Sequence, residues 1–445
     1  MKFPWHVWVF SDSFLNLNHS EANYGVECLV DSLASKESEE QEPETRRVEF
    51  SFPILTVRTQ MFSGVFDRLG ALRASRWASW VALFVVPVVA GIGLYLLCSS
   101  LFALLWNPAV GEAAREAGLG AYLLLPGVNP FLPLLYGWFA IVCAIVIHEG
   151  AHGVTARHLG LKVKSSGLLF FLFIPIGAFV DVDEEQIKKA SAGVSSRVMA
   201  AGVGANVVVA VACLIGVLVI LGGLTPIING VYIANVEQGM PAEAAGLLPN
   251  DVFVTVDNVR VNSTADLSVI LENKTVGDVV QVTVARGDMW QNRFSTVVTL
   301  TTSENRTIMG VSAGDLLLEE RLSNYRNVTL DRLPMYLIPP SLASGLVPFS
   351  DSLASFYTHW ALGQNWQVLA NVLFWVWFVN VNLAVFNALP IYPLDGGRMF
   401  NIALKKVIHR KDGEKLISAI TIGVTAVLVA VLVMIILIPF VPFVT

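Results

Sequence analysis

The stretch Phe131–Gly153, FLPLLYGWFAIVCAIVIHEGAHG, decides the reading of this chain. Residues 131–147 carry no charged side chain, and then His148, Glu149 and His152 arrive together. An apolar run of about 20 residues is what a helix needs to cross a bilayer. On a helix, positions i and i+4 share one face, so His148 and His152 aim their imidazoles at one point. Zinc takes such ligands, and a catalytic site keeps a further position open for water. Glu149, one residue on, is placed to act as general base on that water. With seven histidines in the chain, a chance H-E-x-x-H is expected in roughly half a percent of such sequences, so the motif is read as chemistry. A helix end that merely reached the membrane interface would not require this spacing. Ionisable groups at membrane depth are expensive and mark function. By the helical rise, His148 lies about 25 Å beyond Phe131.

The rest of the chain agrees with a membrane setting. Of 445 residues, 54% are hydrophobic and 14% charged, and the mean hydropathy is +0.62. Soluble domains carry roughly 25% charged residues. The formal charge of −6 offers no basic surface, so no nucleic-acid partner is expected. Cys28, Cys98, Cys143 and Cys213 form no C-x-x-C pair and read as small buried hydrophobes. Segments 78–104, 131–154, 196–223, 366–389 and 416–442 are apolar enough to span. Segment 166–181 is apolar but short, and Pro175 and Gly177 interrupt it. It reads as a re-entrant or sheet-like insertion, which survives at membrane depth only under cover of protein or water.

Basic residues set the orientation. Arg68, Arg73 and Arg76 precede the first span. Arg157, Lys162, Lys164, Lys188, Lys189 and Arg197 follow the second, and Arg398, Lys405, Lys406, Arg410, Lys411 and Lys415 follow the fourth. If the spans alternate, all three groups share the cytoplasmic side and region 224–365 lies outside. The N-x-[ST] acceptors at Asn262, Asn273, Asn305 and Asn327 all fall in that outer region. His148 then sits in the cytoplasmic third of a multi-pass protein of the cell membrane, with the lipid bilayer as a partner. Residues 1–50 are expected to be a polar, disordered extension. Phe3–Phe10 is too short for a signal peptide, carries His6, and has no small-residue cleavage site after it.

A third metal ligand has two candidates. His158 completes a metzincin-like H-E-x-x-H-x-x-x-x-x-H spacing, but the chain reversal that geometry needs has Thr155 in place of glycine. Asp395 lies in NALPIYPLDGGR, residues 387–398, where Pro390 and Pro393 break the helix and Gly396 and Gly397 permit close backbone approach. A carboxylate in such a place is costly unless paired or metal-bound. The alternative is an ordinary helix cap. The balance favours Asp395.

Residues 230–302 read as a small outer domain, with strand-like runs at Val231–Val236, Val252–Val256 and Val279–Val284. GVYIANVEQGMPAEAAGLLPNDVFVTVDNVRV resembles a PDZ domain of the bacterial protease-associated type. The resemblance is carried by Pro241, Ala242, Ala245, Gly246, Leu247, Asp251 and Val252. It departs at Asn250-Asp251 and Asp257-Asn258, where asparagine replaces glycine and still tolerates a left-handed backbone. The resemblance implies capture of a peptide or substrate tail by strand addition, at an edge near Gly230–Tyr232.

HEGAH on one span and N-x-x-P-x-x-x-x-D-G on a later one resemble the site-2 protease family, peptidase family M50. A further likeness is Ala201-Gly202-Val203-Gly204-Ala205-Asn206. The resemblance covers roughly 131–223, 230–302 and 366–400. It implies a membrane zinc metalloprotease with Zn2+ held by His148, His152 and Asp395. Glu149 would activate water, and Asn387 would bind the substrate strand or the developing oxyanion. The substrate would be a membrane protein cut within or near the bilayer.

The fold class expected is a multi-pass α-helical membrane protein of about 5–6 spans with an inserted extracytoplasmic α/β PDZ-like domain. The expected divisions are the extension 1–50, lead-in and first span 51–104, core 131–223, inserted domain 230–302, linker 303–365 and core 366–442. In the linker, Pro339-Pro340 and Pro348 suggest a segment returning to the membrane. Rival readings are a catalytically silent scaffold and a metal transporter. Intact motif residues speak against the first, and the absence of an internal repeat against the second.

Overall fold

The structure, a computed structural model, describes residues 48–172, 174–303, 306–329, 333–337, 347, 349, 351–408 and 413–441. The readings for residues 1–47, Asn305, Pro339-Pro340, Pro348, Arg410 and Lys411 lie outside them. The chain forms two compact units, one of Met1–Leu214 with Phe374–Thr445 and the other of Ile215–Leu373.

The first unit opens with a hairpin, β1 (Val48–Ser51) and β2 (Ile54–Thr59), and a short helix α1 (Ser63–Gly70). Then come α2 (Arg73–Trp106), α3 (Pro108–Ala117) and α4 (Leu134–His158). A second hairpin, β3 (Val163–Phe171) and β4 (Ile174–Val182), is followed by α5 (Glu184–Lys189) and α6 (Ala192–Gly222). Along α2, Ala82, Val86, Val89 and Leu97 are buried, while Val81, Phe84, Val88, Ile92 and Tyr95 are exposed. A helix apolar all round is suited to lipid, not to water.

Segment 166–181 is therefore sheet and not a span. The antiparallel order is β1-β2-β3-β4, so the backbone groups of the hairpin are satisfied by strand pairing. Residues 54–59, read from sequence as part of a lead-in, pair with β3 from Ile54↔Phe171 to Thr59↔Ser166. Such a partnership across a hundred residues has no local signature. At Gly167 any Cβ would strike the Val57 carbonyl and the Phe179 ring, so only glycine fits between β2 and β4. β4 packs along α4. Arg157 on α4 pairs with Asp67 on α1 at 2.7 Å.

The second unit contains β5 (Leu224–Pro226), β6 (Val231–Val236), α7 (Pro241–Ala244), β7 (Val252–Val256), β8 (Val259–Arg260) and α8 (Thr264–Glu272). It continues through β9 (Val279–Arg286), β10 (Asn292–Thr299), β11 (Thr301–Ser303), β12 (Arg306–Ile308) and β13 (Val311–Asp315). The short helices α9 (Leu318–Arg326), α10 (Leu333–Tyr336) and α11 (Asp351–Ala354) lead to β14 (Tyr357–His359), which pairs with β5. The main sheet runs β10-β9-β7-β6-β13, with β8 on β7. Val231, Ile233, Phe253, Val256, Val280, Val282 and Val284 alternate inward to form its core. Asn250 and Asn258 adopt positive φ of 69° and 63°, the left-handed backbone expected where asparagine stands for glycine, and Asp257 shares it at 49°.

Two expectations are corrected here. The sheet is completed by β13, so the inserted domain extends past residue 302 to Asp315. The edge near Gly230–Tyr232 is not open, because β13 pairs along β6 from Val311↔Val236 to Asp315↔Val231. Strand addition needs unpaired backbone groups, and β13 takes one side of β6 along its length while β7 pairs at Tyr232 on the other.

Asp251 is 2% exposed and receives Arg286 Nε and Nη2 at 2.7 and 2.6 Å, as well as the Leu248 N–H at 2.9 Å. Asp251→Ala leaves the Arg286 guanidinium with only the Gly246 carbonyl and the Phe294 ring, and the Leu248 N–H without its acceptor. It is expected to destabilise this unit by about 2–3 kcal/mol. Limited proteolysis of the full chain in detergent should then cut within residues 230–315. Protection equal to wild type would refute the expectation.

The chain returns to the first unit with α12 (Trp366–Ala388), α13 (Asp395–Val407) and α14 (Gly413–Leu437). Among the described residues, α2, α4, α6, α12 and the last helix are long and apolar enough to cross a membrane. Their bounds lie within a few residues of the five spans expected. Between α12 and α13 the chain turns through Pro390 and a cis Tyr392-Pro393 bond. A Cβ on Gly396 would meet the Ala388 and Leu389 carbonyls, and one on Gly397 the Ile391–Tyr392 backbone. The two glycines let α13 start directly against the end of α12.

Candidate active site

His148 and His152 stand one turn apart on α4, with ring centroids 4.9 Å apart. Asp395, the first residue of α13, comes from a position 247 residues further along the chain. Its Oδ2 lies 3.0 Å from His148 Nε2 and 3.2 Å from His152 Nε2. The three side chains are only 7%, 10% and 13% exposed. Asp395 does not act as the cap of α13, where Leu394 holds that place without a side-chain bond.

His152 Nδ1 is 2.8 Å from the Val198 carbonyl of α6. A carbonyl only accepts, so Nδ1 carries the proton and a neutral ring offers a bare Nε2 to the cluster. A bare nitrogen facing a carboxylate oxygen repels it unless a cation or proton lies between. The three donor atoms lie within 4.8 Å of one another. Bonds of about 2.0–2.1 Å in a tetrahedron set donors roughly 3.3 Å apart, close to the two spacings found here. The residues present thus fit a divalent metal.

Gly202 on α6 closes the other side. A Cβ there would stand 2.5 Å from His148 Nε2 and 2.6 Å from His152 Nε2. Gly202→Ala is expected to push both rings off their common point. A displacement of about 1 Å costs roughly 100-fold in rate, and metal content should fall with it. Metal analysis and cleavage assays on the folded variant check this; wild-type values in both would refute the cradle.

Glu149 leaves the cluster and points to an apolar groove of about 800 Å³. The groove is bounded by Phe62 and Phe66 of the α1 region, Val85 of α2, Val146 of α4, Val180 of β4 and Ala205 of α6. Glu149 Oε2 accepts the Val180 N–H at 3.3 Å, which fixes the carboxylate beside the sheet's outer strand. Asn387, at the end of α12, is 3% exposed, and its Nδ2 has no partner among the described residues. His148 Nδ1 is likewise buried and unpartnered.

The structure brings His148, His152 and Asp395 together with Glu149 adjacent. His158, the lesser candidate, is elsewhere: its Nδ1 donates to the Gly70 carbonyl at 2.9 Å and ties α4 to α1. On an unbroken helix, six residues from His152 turn the side chain away. Sequence reasoning did not single out the Val198 carbonyl or the Val180 N–H, which are backbone groups and leave no mark in residue identity. Gly202 had a signal in the small-residue run on the third span, though not its purpose.

A family model described as Peptidase family M50 matches residues 136–432. An uncharacterized protein of Methanocaldococcus jannaschii is 22% identical over 361 residues, covering 80% of this chain and 79% of its own. A Clostridium perfringens protein named "Putative zinc metalloprotease" is 24% identical over 320 residues, covering 65% of this chain and 93% of its own. A solved PDZ domain of an SdrC-like protein from Listeria monocytogenes is 24% identical, with a TM-score of 0.18, and covers 20% of this chain and 93% of that domain.

Proposed function

This chain belongs to peptidase family M50, a metalloprotease with helices suited to a membrane, and on that premise we propose that it is an intramembrane zinc protease cutting membrane-spanning substrates. The observation that carries the proposal is the convergence of His148 Nε2, His152 Nε2 and Asp395 Oδ2 beside Glu149, where α4 opens on an apolar groove.

We assign His148, His152 and Asp395 as the zinc ligands. Zinc, when bound, supplies a Lewis acid for the scissile carbonyl and for water. Glu149 takes a proton from the attacking water and delivers it to the departing amine. The Val180 N–H holds the Glu149 carboxylate on the groove side of α4. Asn387 offers a free Nδ2 donor to the substrate strand or the developing oxyanion. A helical peptide bond is screened by its own hydrogen bonds, so the substrate must first be drawn out. The outer edge of β4 supplies replacement backbone partners along the groove. A groove of apolar walls excludes water around these charges and strengthens their interactions.

By the distribution of basic residues, the active site lies near the cytoplasmic side and region 224–365 outside. The second unit would hold a peptide or substrate tail. With β6 lying between β7 and β13, the edge offered among the described residues on that side is β13, beside α8, whose Thr264 N–H and Oγ1 bond to Asp315 at 2.7 and 2.8 Å.

The test is purified full-length protein in detergent with a single-span substrate, its zinc measured in parallel. Cleavage that a chelator stops and zinc restores supports the reading. Bound zinc without cleavage of any membrane substrate would favour the silent scaffold. Absence of zinc would remove the ligand assignment.

A further inference from the structure

Asn206 lies on α6, one turn beyond Gly202. It is fully buried, at 0% exposure, and neither Nδ2 nor Oδ1 has a hydrogen-bond partner among the described residues. Leaving a buried polar group unpaired costs roughly 1–3 kcal/mol, and no lipid or apolar neighbour can relieve it. Leucine would pack as well without that cost. An amide kept there points to a partner beyond the described residues.

Its place on the helix shows where that partner arrives. Val198, Gly202 and Asn206 follow at four-residue spacing and share one stripe. The first offers its carbonyl to His152, and the second lies against both histidine rings. Each four-residue step turns by about 40°. That rotation carries Asn206 from the histidines towards the side of Val203, which shares a core with Ala384 and Ala388 of α12 and with Ala82, Val86 and Val89 of α2. On α12 the Nδ2 of Asn387 is also buried and unpaired. Two buried amides without partners among the described residues thus stand on α6 and α12.

We propose that Asn206 is a substrate-binding residue, whose Oδ1 accepts an N–H and whose Nδ2 donates to a carbonyl of the extended substrate strand. The inference rests on the protease reading. An asparagine amide carries both donor and acceptor, which complements a peptide group. A substrate drawn out of its helix has such groups to satisfy in a medium without water. One helical turn is about 5.4 Å, so Asn206 meets the strand within about two residues of the scissile bond, at roughly 3.3 Å per residue. The ligands are themselves nearly closed off, at 7–13% exposure.

The test is Asn206→Leu in the full chain. Its melting temperature in detergent and its zinc content are expected to equal or exceed wild type. Its kcat/KM for a single-span substrate is expected to fall at least tenfold. In a Glu149→Gln background, which binds without cutting, the same change should weaken substrate binding about tenfold. Cleavage within twofold of wild type would overturn the role of Asn206 and leave the protease reading intact. A loss of activity that tracks a lower melting temperature or lost zinc would overturn it too, by assigning Asn206 to structure. Absence of cleavage by wild type itself would overturn the protease reading, and this role with it.

Discussion

Glu149→Gln is expected to abolish turnover while zinc stays bound. Glu149 is not one of the three convergent donors, so its charge is not needed to hold the metal. Glutamine keeps the shape of the side chain, and its carbonyl oxygen can still accept the Val180 N–H that glutamate accepts at 3.3 Å. What disappears is the ability to take a proton from water and return it to the amine. General-base catalysis contributes about 10²–10⁴-fold, and here the same group serves twice, so a drop of roughly 10³-fold or more is expected. The measurement is single-turnover cleavage of a single-span substrate with zinc quantified in the same sample. Full activity in the variant would remove Glu149 from the chemistry. Parallel loss of zinc would move it into the ligand set.

Asp395→Ala is expected to lose both metal and activity. The Asp395 carboxylate stands 3.0 and 3.2 Å from the two histidine nitrogens and is the only anionic donor of the group. Changes to residues that merely support a ligand cost about 10–100-fold in affinity, so loss of a ligand should exceed about 100-fold. The fold should survive, because α13 is set against α12 by Gly396 and Gly397 and not by this side chain. His158→Ala is the control. Its ring bonds the Gly70 carbonyl, so zinc should remain at wild-type content. Wild-type zinc in Asp395→Ala would place the third donor elsewhere; zinc lost from His158→Ala alone would favour the rejected spacing.

Much of this site was legible because it is local. His148, Glu149 and His152 fall within five residues of one helix, and helical periodicity alone puts the two rings together. The five apolar helices were legible for a similar reason, since each satisfies its own backbone and needs only length and composition. Asp395 was legible in part, as a carboxylate where prolines and glycines break a span. Its choice over His158 rested on a turn that the sequence did not contain.

The sequence by itself therefore determined the helices, the motif and the identity of the candidate ligands. The tertiary structure decided what brings them to one point and what surrounds them. It placed residues 54–59 in the sheet beside β3 and extended the inserted domain to Asp315, where β13 covers the edge once expected to be free. It set the Val198 carbonyl on His152, the Val180 N–H on Glu149 and Gly202 against both rings. The physical reason is common to all of these. Helical bonds join residues four apart, and the chain advertises them in its periodicity. Strand pairing, backbone hydrogen bonds to side chains and the fit of a missing Cβ join residues tens to hundreds apart, and only the packed chain brings them into contact.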